Sequence, residues 1–100
     1  MIIEFEGKLP KVAPTAFIAE NAMVIGDVEI GPGTNIWFYS IVRGDLHYIR
    51  IGSNCNIQDA CVLHVEKNLF PLIIDHWLLI TDHCLGIYHP TVRLLLPRYF

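Results

Sequence analysis

The sequence predicts an all-β fold, a left-handed parallel β-helix of about three coils followed by an irregular apolar C-terminal tail. Two observations lead to this prediction. A branched apolar residue recurs every six positions, and small or turn-forming residues lie between these positions. An α-helix has about 3.6 residues per turn and cannot keep a six-residue repeat on one face. Three short strands per coil can, because each hexad then forms one flat side of a triangular prism.

The six-residue repeat runs through most of the first two thirds of the chain. It predicts eight inward-facing branched residues, with a single nine-residue step: Ile18, Val24, Ile30, Ile36, Val42, Ile51, Ile57 and Leu63. The residues four places further on are small or compact and are expected to fill the prism corners: Ala22, Val28, Thr34, Ser40, Cys55 and Cys61. We therefore interpret the two cysteines as core residues rather than redox or metal-binding groups.

The nine-residue step lies between Val42 and Ile51 and contains the stretch R-G-D-L-H. It adds three residues to the regular repeat. Insertions in a solenoid leave the prism as loops, and such loops often carry function. This insertion is therefore the first place at which we look for a site.

One hundred residues are enough for one domain. After Leu69 the six-residue count reaches Asp75, so the apolar repeat is expected to stop there. We accordingly divide the domain into a lead-in over 1–16, a hexapeptide-repeat β-helix over 17–69 and an atypical tail over 70–100.

Composition excludes several classes of function. The formal net charge of −3, without a run of basic residues, argues against nucleic-acid binding. Acidic residues and histidines interrupt the apolar tail before about 18 apolar residues accumulate, which argues against a membrane span. The first residues lack a basic segment followed by an apolar one, so a cytoplasmic location is expected. Three cysteines without a C-x-x-C pair do not indicate a disulfide framework.

Three motifs occur in a fixed order between Ile25 and Val65. They are V-R-G-D, then N-I-Q-D, then L-H-V. At these separations the segment resembles the γ-class carbonic anhydrases, a family of hexapeptide-repeat proteins. The resemblance reaches back weakly to about Gly7 and covers roughly two thirds of the chain.

The resemblance implies a homotrimeric lyase that converts CO2 to bicarbonate, reversibly, by a metal-bound hydroxide. The metal, Zn2+ or alternatively Fe2+ or Co2+, would be held by three histidines at the interface between subunits. His64 matches the first ligand. The remaining matches are an interface ion pair, two polar residues beside the bound water, and an acid that holds the interface arginine: Arg43 and Asp45, Asn56 and Gln58, and Asp59.

The second and third ligands are less well matched. The family's G-H-x-x-x-x-H-G segment is absent, and His83 and His89 are the nearest substitutes. Glu66 is the sole carboxylate close after His64 that could accept protons. Residue composition also changes after about residue 70, from which we hypothesise a truncated repeat with a frame-shifted or otherwise aberrant continuation.

Other interpretations of the same residues stay open. Arg43 and Asp45 could be a solvated surface pair, and Gln58 and Asp59 ordinary turn residues. Histidine in a hexapeptide-repeat protein could instead act as the general base of an acyltransferase. A non-catalytic trimeric scaffold or a defective product is the third possibility, because the altered ligand segment favours inactivity of this chain at least as much as catalysis.

Overall fold

The computed structural model describes residues 1–65, 72–74 and 79–80. Within these ranges the chain forms ten β-strands and no helix. The strands are β1 Ile2–Ile3, β2 Lys11–Val12, β3 Phe17–Ile18, β4 Met23–Ile30, β5 Asn35–Ile36, β6 Ile41–Ile51, β7 Asn56–Ile57, β8 Val62–His64, β9 Leu72–Ile74 and β10 Leu79–Ile80.

The strands pair in parallel and form two sheets. The first sheet has the order β1-β4-β6-β8, with β2 paired to β4 and β9 paired to β6. The second sheet has the order β10-β7-β5-β3. Because β4 pairs with β1 near its start and with β2 near its end, it forms two sides of its own coil. The result is a parallel β-solenoid of about three turns, which confirms the predicted β-helix.

The predicted hexad residues stack in three columns inside the coil. Register pairs join Val24 with Val42 and Leu63, Ile30 with Ile51 and Ile74, and Ile18 with Ile36, Ile57 and Ile80. These side chains are at most 3% exposed, except Ile18, which is partly buried against them. Each fully buried aliphatic side chain stabilises the fold by about 1.5–3 kcal/mol, so the columns are the main source of stability.

The residues predicted for the prism corners are buried as well. The Thr34 hydroxyl donates to the Gly52 carbonyl at 2.6 Å and accepts the Cys55 N–H at 3.1 Å. The Ser40 hydroxyl donates to the Gln58 carbonyl at 2.7 Å. Each hydroxyl thereby satisfies backbone groups of the next turn, as buried polar atoms require. Cys55 is 1% and Cys61 0% exposed, in agreement with their interpretation as core residues.

The predicted insertion leaves the parallel register between β4 and β6. Gly26 is paired with Gly44, and the register resumes with Val28 opposite Ile49. Residues 45–48 therefore lie opposite Asp27 alone, which places the whole insertion at one corner of the coil.

Two strands beyond residue 69 continue the stack. β9 pairs with β6 and β10 pairs with β7, and Ile74 and Ile80 occupy the column positions. The six-residue count reached Asp75 because the step from Leu63 to Ile74 is not a multiple of six. The coils thus extend past the boundary predicted at residue 69, while the rest of the domain division stays a prediction. The described residues include no helix long and apolar enough to cross a membrane.

Candidate functional site

Arg43, Asp45 and His64 form one cluster on the outside of the coil. Arg43 in β6 and His64 in β8 are partners in the parallel register. Arg43 Nη2 lies 2.9 Å from His64 Nε2 and 3.2 Å from His64 Nδ1. Asp45 Oδ1 lies 3.3 Å from His64 Nε2, and its Oδ2 lies 3.3 Å from Arg43 Nε. The V-R-G-D and L-H-V motifs are therefore brought together within a single chain.

The alternation of side chains along β8 explains why His64 faces outward. Leu63 is fully buried in a column, so Val62 and His64 point to the opposite side. The side chain of His64 is 19% exposed and that of Asp45 is 17% exposed. An imidazole whose ring nitrogen faces a carboxylate is the arrangement that orients histidine ligands in metal sites. His64 therefore lies on the outer face of the coil.

The N-I-Q-D motif contributes a network of side-chain amides. Asn56 Oδ1 accepts hydrogen bonds from Trp37 Nε1 at 2.7 Å and from Gln58 Nε2 at 2.9 Å. Because an indole nitrogen can only donate, Trp37 fixes which end of the Asn56 amide is the oxygen, and Asn56 in turn fixes the Gln58 amide. Gln58 Oε1 is left without a partner among the described residues, and it is available as an acceptor.

The described residues match a metal site in part. They contain no group of three or more His, Cys, Asp or Glu side chains placed to hold a metal ion. A catalytic zinc takes three protein ligands. His64 is the ligand type that suits one of these positions, but Arg43 Nη2 lies 2.9 Å from its Nε2 and 3.2 Å from its Nδ1, so a metal would have to displace the guanidinium. The other ligands must come from elsewhere. The predicted ligands His83 and His89 lie outside the described residues, as does Glu66.

Asp59 is exposed, and its carboxylate makes no ion pair with Arg43 or with another of the described residues. The resemblance to the γ-class carbonic anhydrases implies that Asp59 instead holds an arginine at the subunit interface. Its assignment therefore stays a prediction.

Sequence reasoning missed Trp37 and Arg50. Trp37 follows the inward Ile36 as His64 follows the inward Leu63, so its outward direction could have been predicted from the repeat. Arg50 lies at the end of the insertion, where its guanidinium contacts Asp27 at 3.0 Å. Its partners are set by the register across the insertion, which the repeat does not reveal.

Comparisons with known proteins agree with this architecture. A carbonic anhydrase of Geobacillus kaustophilus is 47% identical over 75 residues, which cover 75% of this chain and 41% of that protein. The mitochondrial gamma carbonic anhydrase 1 of Arabidopsis thaliana is 48% identical over 61 residues, which cover 61% of this chain and 22% of that protein. No family model matches the chain.

A solved structure supports the same fold. The hexapeptide transferase family protein from Anaplasma phagocytophilum has a TM-score of 0.74 at 39% identity, and the match covers 79% of this chain and 45% of that one. Stacked hexads in a parallel solenoid define a hexapeptide-repeat protein. Within that class, the chain belongs to the γ-carbonic anhydrase-like family. It spans less than half the length of each of these three proteins.

Proposed function

We propose that this chain forms one part of a metal centre for the reversible hydration of CO2 to bicarbonate, shared between the subunits of a homotrimer. The observation that carries the proposal is the contact between Asp45 Oδ1 and His64 Nε2 on the outer face of the coil. We interpret His64 as a metal ligand and Asp45 as the carboxylate that orients it, because this chain is 47% identical over 75 residues to a carbonic anhydrase.

His64 would hold the metal, with His83 and His89 as candidates for the other two positions. Imidazole ligands suit Zn2+, and they suit Fe2+ and Co2+ as alternatives. When bound, such a metal lowers the pKa of a coordinated water to about 7 and so supplies a nucleophile at neutral pH. Asp45 orients the His64 ring, since second-shell carboxylates fix the tautomer and direction of histidine ligands.

Gln58 is assigned to orient the attacking water. Its Nε2 is engaged by Asn56, so its Oε1 is the atom that can accept a hydrogen bond from the water. Trp37 and Asn56 hold this amide in place and spare the cost of ordering it during the reaction. Arg43 is 45% exposed, and it is the member of the cluster that a neighbouring subunit can contact most readily.

Acyl transfer is the second candidate function. A structural neighbour is a hexapeptide transferase family protein, and an imidazole beside a carboxylate can also act as a general base. The R-G-D and N-I-Q-D motifs argue against this reading. Binding to a coenzyme A resin and consumption of acetyl-CoA would favour it.

Metal content per chain tests the proposal. We expect about one Zn2+ or Fe2+ per chain in the trimer peak of a size-exclusion column, together with CO2 hydration. His64→Ala should lose the metal. His76→Ala is the control, because His76 is a histidine of the same chain that is assigned no ligand position. A trimer without metal would contradict the proposal and favour the scaffold alternative.

A further inference from the structure

The insertion at residues 45–48 has to be held still for Asp45 to orient His64. Asp45 is the first residue of this segment, and residues 45–48 face a single residue of β4, Asp27. A four-residue segment opposite one residue has no strand partner of its own. Some other contact must fix it.

Arg50 makes that contact across two coils. Its Nη2 lies 3.0 Å from Asp27 Oδ1, and its Nη1 donates to the Asp27 carbonyl at 3.2 Å. Its Nε lies 3.4 Å from Glu29 Oε2. Arg50 therefore binds both the backbone and the side chain of the β4 residue that faces the insertion.

The same guanidinium also holds the end of the insertion. It lies 4.5 Å from the ring centroid of Tyr48, the last inserted residue, and Nη1 donates to the Ile49 carbonyl at 3.0 Å. Tyr48 packs edge-on against His47 with ring centroids 5.0 Å apart. The planar guanidinium can make these contacts at once, which an ammonium group cannot.

The other end of the insertion is fixed by close packing. A side chain on Gly44 would meet the Asp27 carbonyl oxygen at 2.6 Å, so the backbones touch there. Asp45 then accepts the N–H of Leu46 at 2.8 Å, which sets its carboxylate direction. With Gly44 fixed at one end and Tyr48 at the other, the Asp45 carboxylate is held toward His64.

We propose that Arg50 is a positioning residue for the metal centre, acting on His64 through the insertion and Asp45. The expected effect of Arg50 on metal binding rests on the proposed function. Its structural part, the fixing of Asp45, stands independently of metal binding. The two parts can therefore be tested separately.

The first test measures amide hydrogen exchange without metal. Arg50→Met keeps much of the side-chain volume and removes the guanidinium. We expect the Leu46 amide, which is bonded to Asp45, to exchange on the order of tenfold faster in this variant. Lys11→Met is the matched control, because it removes the same charge from the same sheet, at the register partner of Glu29. Unchanged Leu46 exchange in Arg50→Met would overturn the assignment.

The second test measures metal affinity by competition with a chelator, using Zn2+. We expect Arg50→Met to weaken Zn2+ binding by about tenfold, and Lys11→Met to leave it unchanged. In an Asp45→Asn background the Arg50 substitution should have no further effect on Zn2+ affinity, since both act through one carboxylate. Additive losses would overturn the assignment. If the wild type binds no Zn2+ while Arg50→Met still speeds exchange of the Leu46 amide, the proposed function is contradicted and the positioning of Asp45 stays supported.

Discussion

Asp45 and His64 lie on strands of successive coils, and Asp45 Oδ1 is 3.3 Å from His64 Nε2. The contact arises because β6 and β8 pair with Arg43 opposite His64, which places Asp45 just beyond that pair. Both side chains are more than four-fifths buried, so the contact is only partly screened by solvent. The imidazole is therefore held by two groups, the Asp45 carboxylate and the Arg43 guanidinium.

Replacing Asp45 by Asn should weaken metal binding. The substitution keeps the shape and removes the charge that faces the His64 ring, and losses of second-shell partners typically lower metal affinity by about 10–100-fold. Zn2+ affinity measured by chelator competition checks this. Glu20→Gln is the control, because Glu20 is exposed and has no place in the candidate site. Equal affinities for wild type and Asp45→Asn would show that the carboxylate does not act on the ligand.

Close stacking of the coils at Gly26 leads to a second prediction. Gly26 has φ +80°, and a Cβ there would lie 2.4 Å from the Gly44 carbonyl oxygen. Gly7 has nearly the same φ, +79°, but a Cβ there would meet nothing within 4 Å. Both alanine variants should lose about 1–2 kcal/mol from the left-handed backbone. Gly26→Ala should lose about 1–3 kcal/mol more, because the coils must move apart.

Urea unfolding at equal protein concentration measures the difference between the two glycine variants. Gly7→Ala controls for the backbone conformation and leaves the packing term. Equal losses of unfolding free energy in the two variants would show that the coils separate at Gly26 without cost.

The sequence was sufficient to predict the coil because one physical constraint repeats. A column position such as Ile36 or Ile57 must be apolar and branched in every turn, so the period is visible in a single chain. The six-residue count stopped giving the column positions after Leu63, because the step from Leu63 to Ile74 has a different length. A changed connection leaves no periodic signal, so its length has to be seen in the structure.

The candidate site was predictable in part for a different reason. Motifs indicated His64 and Asp45, and the outward direction of His64 followed from the buried Leu63. The roles of Trp37 and Arg50 depend on contacts between successive coils, at Asn56 and Asp27 respectively. Such contacts are fixed by register across the insertion, and composition and spacing do not specify them.

Burial of the two core cysteines leads to a third prediction. Cys55 and Cys61 are at most 1% exposed in the prism corners. A thiol reagent reaches them only when the coil opens. In a Cys84→Ser variant, the folded protein should therefore react with Ellman's reagent slowly at both positions, and both should react at once in denaturant. Rapid labelling of either cysteine under native conditions would contradict their assignment to the core.

The Ser40 hydroxyl connects the core to the candidate site. It is fully buried, donates to the Gln58 carbonyl at 2.7 Å and accepts the Cys61 N–H at 3.3 Å. Ser40→Ala leaves both backbone groups without this partner, which should cost about 1–3 kcal/mol of unfolding free energy. Ser53→Ala, at a partly exposed turn position, is the control and should change the unfolding free energy by less than about 0.5 kcal/mol.

Ser40→Ala should also affect catalysis, because the carbonyl that Ser40 holds belongs to the residue assigned to orient the water. We expect kcat for CO2 hydration to fall while Zn2+ affinity stays at the wild-type value, since Ser40 does not contact His64 or Asp45. Stopped-flow hydration assays and chelator competition measure the two quantities on the same preparation. A fall in Zn2+ affinity equal to the fall in kcat would mean that the amide network and the ligand cluster respond as one unit, and that the separate role given to Gln58 is wrong.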